Sequence, residues 1–327
     1  MISATGLAAE RPESSHPATV SAVLPPSRRR RPLRGPVSRR ARHDHPLLFL
    51  VPALAVLVVF FFLPTIFNFV YALTDWSSFK SEIRFVGWAN FQALLESGTL
   101  LSRLWTTLVY AILVAVFQNV FGLLLALLLE RDTRINRAIR VAFFVPVIMS
   151  ALAVGYVFQA ILEPDGALNE ILGFLSGRDV TIPWLGSTSW TIIVVALVHA
   201  WKWMGLSMLI YLAGLKTLDP DIVEAARIDG ASRWQTFRAI RFPLLAPAVT
   251  FNVATALLGS MNGFDIVQAT TAGGPGGTTE IINIFIFRTF GQGLFAQATT
   301  MSLLLFVLVV ILAFPLIRML RKREDVL

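Results

Sequence analysis

The sequence predicts an all-α membrane protein with six transmembrane helices. Three observations carry this: 55% of the 327 residues are hydrophobic, only 15% are charged, and the apolar residues gather into six long runs. A soluble domain averages about 45–50% apolar and about 25% charged residues, so the surplus must face something other than water. Mean hydropathy is +0.68.

A helix needs about 20 apolar residues to cross a bilayer. Runs of that kind extend from Pro46 to Leu73, Leu104 to Leu129, Val141 to Leu162, Trp190 to Gly214, Leu244 to Phe264 and Thr299 to Ile317. None holds an acidic residue; Asp265 sits at the very edge of the fifth, directly after Phe264. The first run is too long for a signal-peptide core and lacks a clear cleavage site, so it reads as a retained helix. The division that follows is a disordered basic tail over 1–45, a transmembrane domain over 46–320 and a short tail over 321–327.

Basic residues set the orientation, because cytoplasmic segments carry the excess of Lys and Arg. Of the 28, 22 fall on the side of the N-terminus, five on the other, and Lys202 lies within a span. Leaving out the tail keeps the ratio at 13 to 5. Both termini are therefore expected to be cytoplasmic. The tail is rich in Pro, Ser and Arg and has little to bury, so it reads as disordered. Its run Arg28-Arg29-Arg30-Arg31 reads first as an anchor to anionic lipid headgroups and second as a contact for a partner or nucleic acid. The net charge of +8 does not make this a nucleic-acid-binding protein, since the cations sit at the ends of apolar runs rather than on one face.

Composition removes several chemistries. There is no cysteine, which excludes disulfides, thiolate metal sites and cysteine nucleophiles. His16, His43 and His45 lie in the tail, leaving His199 alone in the apolar body, so no metal site is expected. No Gly-x-x-x-x-Gly-Lys-Ser/Thr motif occurs, and the Gly273–Gly277 loop lacks its lysine, so the chain holds no nucleotide cradle and no cofactor is expected.

One loop, 215–243, carries a mechanism. Asp219 before Pro220 is an N-cap and N1 pair that starts a helix. Gly230 breaks it, and Ser232 with Gln235 three residues on fits a capping box that starts a second helix. Pro243 and Pro247 mark the approach to the fifth span. On the first helix Ala225 and Ala226 are small enough for another backbone to come close, and Glu224 beside them offers a carboxylate. That reads as a docking surface for a partner, with a plain amphipathic linker as the alternative.

Polar residues inside a bilayer are expensive and face protein or a cavity. His199, Lys202, Trp203 and Leu206 share one face of the fourth span. Asn252, Thr255, Gly259 and Asn262 share a face of the fifth, with Ser260 adjacent, and the third adds Tyr156 and Gln159. Neutral donors and acceptors beside aromatic rings suit a polyhydroxylated solute. The alternative for each is that it joins helices together, as small and polar residues do in membranes.

The 215–243 segment resembles the EAA loop of ATP-binding-cassette importer permeases: Glu224-Ala225-Ala226, then Gly230, Ile240 and Pro243 at the family's spacings, with Phe242 where the family has leucine. Asp229, in Ile228-Asp229-Gly230-Ala231-Ser232, resembles the family's sugar branch, of the maltose type. So do Leu73-Thr74-Asp75-Trp76, Asn90-Phe91, the stretch Asn262 to Pro275, and Thr279-Glu280. The resemblance covers about 46–324. It implies the type I importer permease fold, a coupling helix seated in a separate ATPase subunit, and no catalysis by this chain. The implied partners are a second permease subunit forming a heterodimer, two copies of the ATPase, an external solute-binding protein, and membrane lipid. No nucleic acid is implied. The implied location is the bacterial inner membrane, and the implied substrate is a sugar, foremost an oligosaccharide. By position, the family's sugar contacts fall on His199, Lys202, Trp203 and Leu206. The alternatives are a glycerol-phosphate-type importer of the same branch and an ion-coupled secondary transporter, although the latter expects mid-membrane carboxylates. A membrane enzyme would need a nucleophile–base or metal constellation that one His and one Lys do not supply.

Overall fold

The computed structural model describes residues 46–324; the expected basic tail over 1–45 and the last three residues lie outside the described residues. Residues up to Leu54 form a unit of their own, of which 46–54, the start of the first helix, is described. Apart from the start of that first helix, everything below concerns the unit from Ala55 onward.

All regular structure among the described residues is helical. The first span is α1 (Pro46–Leu57), a π turn (Val58–Phe62) and α2 (Leu63–Ala72). Pro64 explains the π turn: it has no N–H to donate and its ring collides with the preceding turn, so the ladder loosens just before it. The same pattern recurs at Phe237–Arg241, just before Pro243. Next come the short α3 (Ala89–Glu96) and the 30-residue α4 (Thr99–Leu128). Then follow α5 (Arg134–Ile148), α6 (Ala151–Ile161), α7 (Ala167–Ser176) and α8 (Thr191–Lys216). The rest is α9 (Pro220–Ile228), α10 (Arg233–Thr236), α11 (Phe242–Leu244), α12 (Ala246–Met261), α13 (Phe264–Thr270), α14 (Ile282–Gly291) and α15 (Phe295–Glu324). Helix α15 continues through the first residues expected to form the C-terminal tail.

Four helical stretches are long and apolar enough to cross a membrane, and two bent pairs bring the number to six among the described residues. The bends correct the straight-span expectation. The third span is broken by 102° between α5 and α6. Met149 and Ser150 lie between them with extended ψ angles, just after Pro146. The fifth is bent by 69° at Leu245, and its α12 ends at Met261, so Asn262 sits in a turn and Phe264 opens α13.

The inner pair is α4 with α8. Hydrogen bonds cross it at three levels: Tyr110 to His199 (2.8 Å), Gln118 to Ser207 (2.9 Å) and Tyr211 to Asn119 (2.6 Å). Each joins polar groups that would cost several kcal/mol if left alone in hydrocarbon. On its other side α8 meets α5 so closely that a Cβ at Gly205 would lie 2.1 Å from the Phe143 carbonyl; only glycine fits there. Apolar side chains cover the outside of α2, α4 and α15, among them Phe67, Val116, Leu124, Ile311 and Phe314.

Candidate functional site

The break in the third span has a specific fastening. The end of α5 leaves carbonyls short of partners: the Lys202 amine donates to that of Val147 (3.1 Å) and, alongside the Met149 N–H, to that of Pro146 (3.3 Å). The Lys202 nitrogen lies 4.3 Å from the centre of the Trp203 ring. A cation at a helix C-terminus is favoured by the helix dipole. Lys202 is thus buried as a strut, only 2% exposed.

Seven of the sequence candidates, Leu206 of α8 among them, meet at one cavity of about 300 Å³. His199 and Trp203 come from α8, Thr255, Gly259 and Ser260 from α12, and Asn262 from the turn beyond. Tyr156, Gln159, Lys202 and Asn252 do not line it. Tyr156 is 58% exposed on α6, and Asn252 is fully buried, its amide donating to the Ser207 carbonyl at 3.4 Å. Two polar side chains that the sequence reading left out complete the lining: Gln118 of α4 and Asp265 of α13. Gln118 was open to detection by the same rule that found the others, as an amide in the middle of an apolar run. Tyr110, which holds Nδ1 of His199, carries no such signal, because a tyrosine in an apolar helix is unremarkable without its partner. Asp265 is the single charged group lining the cavity, and no Lys or Arg lines it.

At the arginine-rich end the loop between α8 and α12 has the local shape its sequence dictates. Asp219 caps α9 by accepting from the Asp221 N–H (3.0 Å). Gly230 has φ +82°, and Ser232 and Gln235 form a reciprocal capping box. Glu224, Ala225 and Asp229 are exposed, whereas Ala226 turns into the fold at 9% exposure. Ile240 lies in the π turn and Pro243 in α11, both half-buried. Arg241 ties the loop to the end of α4 through Glu130 at 2.6 Å.

At the opposite end Glu280, nearly buried, is gripped by Arg103 at 2.6 Å and by Arg288. Arg103 also donates to the Gly277 carbonyl (2.9 Å) and Arg288 to that of Ala272 (3.0 Å), so two guanidiniums and one carboxylate pin the whole 271–280 loop. The Asn90 amide donates to the Ala72 and Thr74 carbonyls at the end of α2. Trp76 packs between Tyr71 and Phe295. Lys80, with help from the Arg84 N–H, holds the Asp75 carboxyl below the usual carboxylate range.

Residues 118–323 match the family model described as the binding-protein-dependent transport system inner membrane component. The chain belongs to this family. The family is a transport component of the inner membrane, not a catalyst. Relatives include the probable starch degradation products transport system permease protein of Thermoanaerobacterium thermosulfurigenes, 30% identical over 281 residues, covering 85% of this chain and 94% of the relative. The trehalose/maltose transport system permease protein of Thermococcus litoralis is 28% identical and covers 85% and 94%. Among solved structures, a bacterial ABC transporter involved in the import of the acidic polysaccharide alginate superposes with TM-score 0.74 at 22% identity, covering 86% of this chain and 96% of that one. The fold of this family member is therefore that of an importer permease.

Proposed function

We propose that this permease forms half of the path for a neutral sugar, delivered by an external binding protein and driven by a separate ATPase seated on the Glu224 loop. The cavity carries the reading. Its polar lining is one amide from Gln118, one from Asn262, the hydroxyls of Thr255 and Ser260, the His199 ring and the Asp265 carboxylate, with Trp203 as an apolar wall. Carboxylate and amide oxygens accept from sugar hydroxyls, and an aromatic face packs on a pyranose. A phosphate ester would call for Arg or Lys and would be repelled by Asp265, which disfavours the glycerol-phosphate alternative. The sugar-transport names of the relatives support the same class. An alginate importer shares the fold, and the Asp265 carboxylate favours a neutral substrate over a polyanion like that one.

The test is reconstitution with a second permease, two ATPase subunits and the binding protein. ATP-driven uptake of neutral oligosaccharide is expected, and uptake of glycerol phosphate instead would overturn the substrate class. In the same vesicles Glu224→Ala should weaken ATPase docking by about 2 kcal/mol or more, roughly thirtyfold, because it strips one partner from a charged contact. Wild-type ATPase retention and uptake in that variant would make the loop a plain linker.

The termini are proposed to be cytoplasmic, on the strength of the basic-residue distribution. In this cysteine-free chain, a cysteine at Gly276 should react with an impermeant maleimide from outside intact cells. One at Lys216 should react only after permeabilisation. The reverse pattern would invert the topology.

A further inference from the structure

A second concavity, of about 360 Å³, lies at the arginine-rich end, behind α9. Arg131 approaches it from the end of α4, Arg227 from α9, Arg233 from α10 and Arg241 from the second π turn; the one carboxylate is Glu130. Glu130 is taken by Arg241 at 2.6 Å. Arg131, Arg227 and Arg233 have no carboxylate within 4.0 Å among the described residues. The excess of three guanidiniums is therefore uncompensated.

The pocket is separate from the docking surface. Val223, Arg227 and Ala231 line it at a spacing of four, one face of α9 and its continuation. Glu224 and Ile228 follow one residue later, on the adjoining face, and both are exposed. One wall is apolar: Leu127 and Leu128 end α4 there, and Leu128 is 75% exposed. Leu124, one turn back, continues that exposed apolar strip toward the middle of the span.

We propose that this pocket binds a phosphate-bearing anion, which bridges the end of α4 to α9 behind the coupling surface. Guanidinium forks match phosphate oxygens two at a time and remain charged at any working pH, which a site with competing carboxylates would waste. The phosphate comes from an anionic phospholipid headgroup or from a free phosphate in solution. The strip from Leu128 to Leu124 offers an acyl chain a path, and a free anion needs none.

The proposal stands on this chain alone, so its test needs no ATPase and is independent of the sugar reading. The full chain in a neutral detergent is titrated with short-chain phosphatidylglycerol, with phosphatidylcholine, whose phosphate carries its own counter-charge, and with inorganic pyrophosphate, while the thermal midpoint is followed. A saturable rise with phosphatidylglycerol and not with phosphatidylcholine is expected. Arg227→Gln/Arg233→Gln should raise the half-saturating concentration about tenfold or more, since each removes a charge-assisted contact. Arg134→Gln/Arg238→Gln, cations at the same end but outside the pocket, should leave it within about twofold, as screened distant charges do. Pyrophosphate acting with the same variant sensitivity assigns the site to a free anion; no effect of pyrophosphate assigns it to the lipid. Equal loss in both double variants would mean diffuse attraction to a basic surface, and no saturable effect in the wild type would mean no site. Either overturns the proposal. Should the double variant fail to fold, the single exposed change Arg227→Gln serves in its place.

Discussion

Glu280→Ala is expected to cost this protein about 3 kcal/mol of stability, the low end for removing one partner from a buried ion pair, since only Arg103 of its two partners is largely buried. The carboxylate is 3% exposed and stands between Arg103 and Arg288, one from the start of α4 and one from α14. Without it the largely buried Arg103 guanidinium loses its partner and faces Arg288, which water screens in part because it is 51% exposed. Both also hold loop carbonyls, Gly277 and Ala272, so their repulsion would pull the 271–280 segment apart. Glu280→Gln keeps the shape but loses the charge and should fall between. Replacing Glu280 and Arg103 together by leucine should recover part of the loss, because a buried ion pair is a weak source of net stability even though breaking it is costly. Thermal unfolding in detergent reports all three. A Glu280→Ala midpoint equal to that of the wild type would show that the cluster contributes nothing.

The second large effect falls on transport. Gly230 turns the chain from α9 into α10 with φ +82°, a region that a β-branched residue enters only with strain of about 1–3 kcal/mol. A Cβ there meets nothing within 4 Å, so the strain is in the backbone and not in packing. Gly230→Val should therefore misplace α9 and nearly abolish coupled uptake. Gly230→Asn, the side chain best tolerated at positive φ, should retain most of it. Uptake and ATP hydrolysis in the reconstituted complex separate the two. Equal loss in both would point to a steric contact with the partner instead of a backbone requirement, and no loss in either would remove Gly230 from the coupling machinery.

The parts of this protein that were readable in advance are those fixed by local rules. The Asp219–Pro220 start, the Gly230 break and the Ser232–Gln235 box formed as the residues dictate, because capping involves neighbours three or fewer positions apart. The six apolar runs were readable for a similar reason, since lipid selects them by composition. What hydropathy could not show was the 102° break in the third span. A window over 141–162 averages across Met149 and Ser150, and the group that stabilises the break sits on another helix. The same holds for the cavity. Helical spacing put His199, Trp203, Thr255 and Gly259 on faces that do converge. It also put Lys202 there, whose amine was claimed by carbonyls 55 and 56 positions earlier in the chain. Tyr156 shares α6 with Ala151, which lines the cavity, but is itself exposed and outside it, on a helix set by a break that no periodicity encodes.

The strut at Lys202 also bears on the order of assembly. During synthesis α5 and α6 emerge well before α8. Pro146 already weakens the ladder there, since it cannot donate to the Ala142 carbonyl, but the carbonyls freed at a full break would lie bare in lipid until a donor arrives. The amine that accepts the burden of the Pro146 and Val147 carbonyls arrives 55 or more residues later. Gly205, which lets α8 settle against Phe143, arrives three residues after that. The contacts that hold the third span's break are thus complete only once α8 has been made.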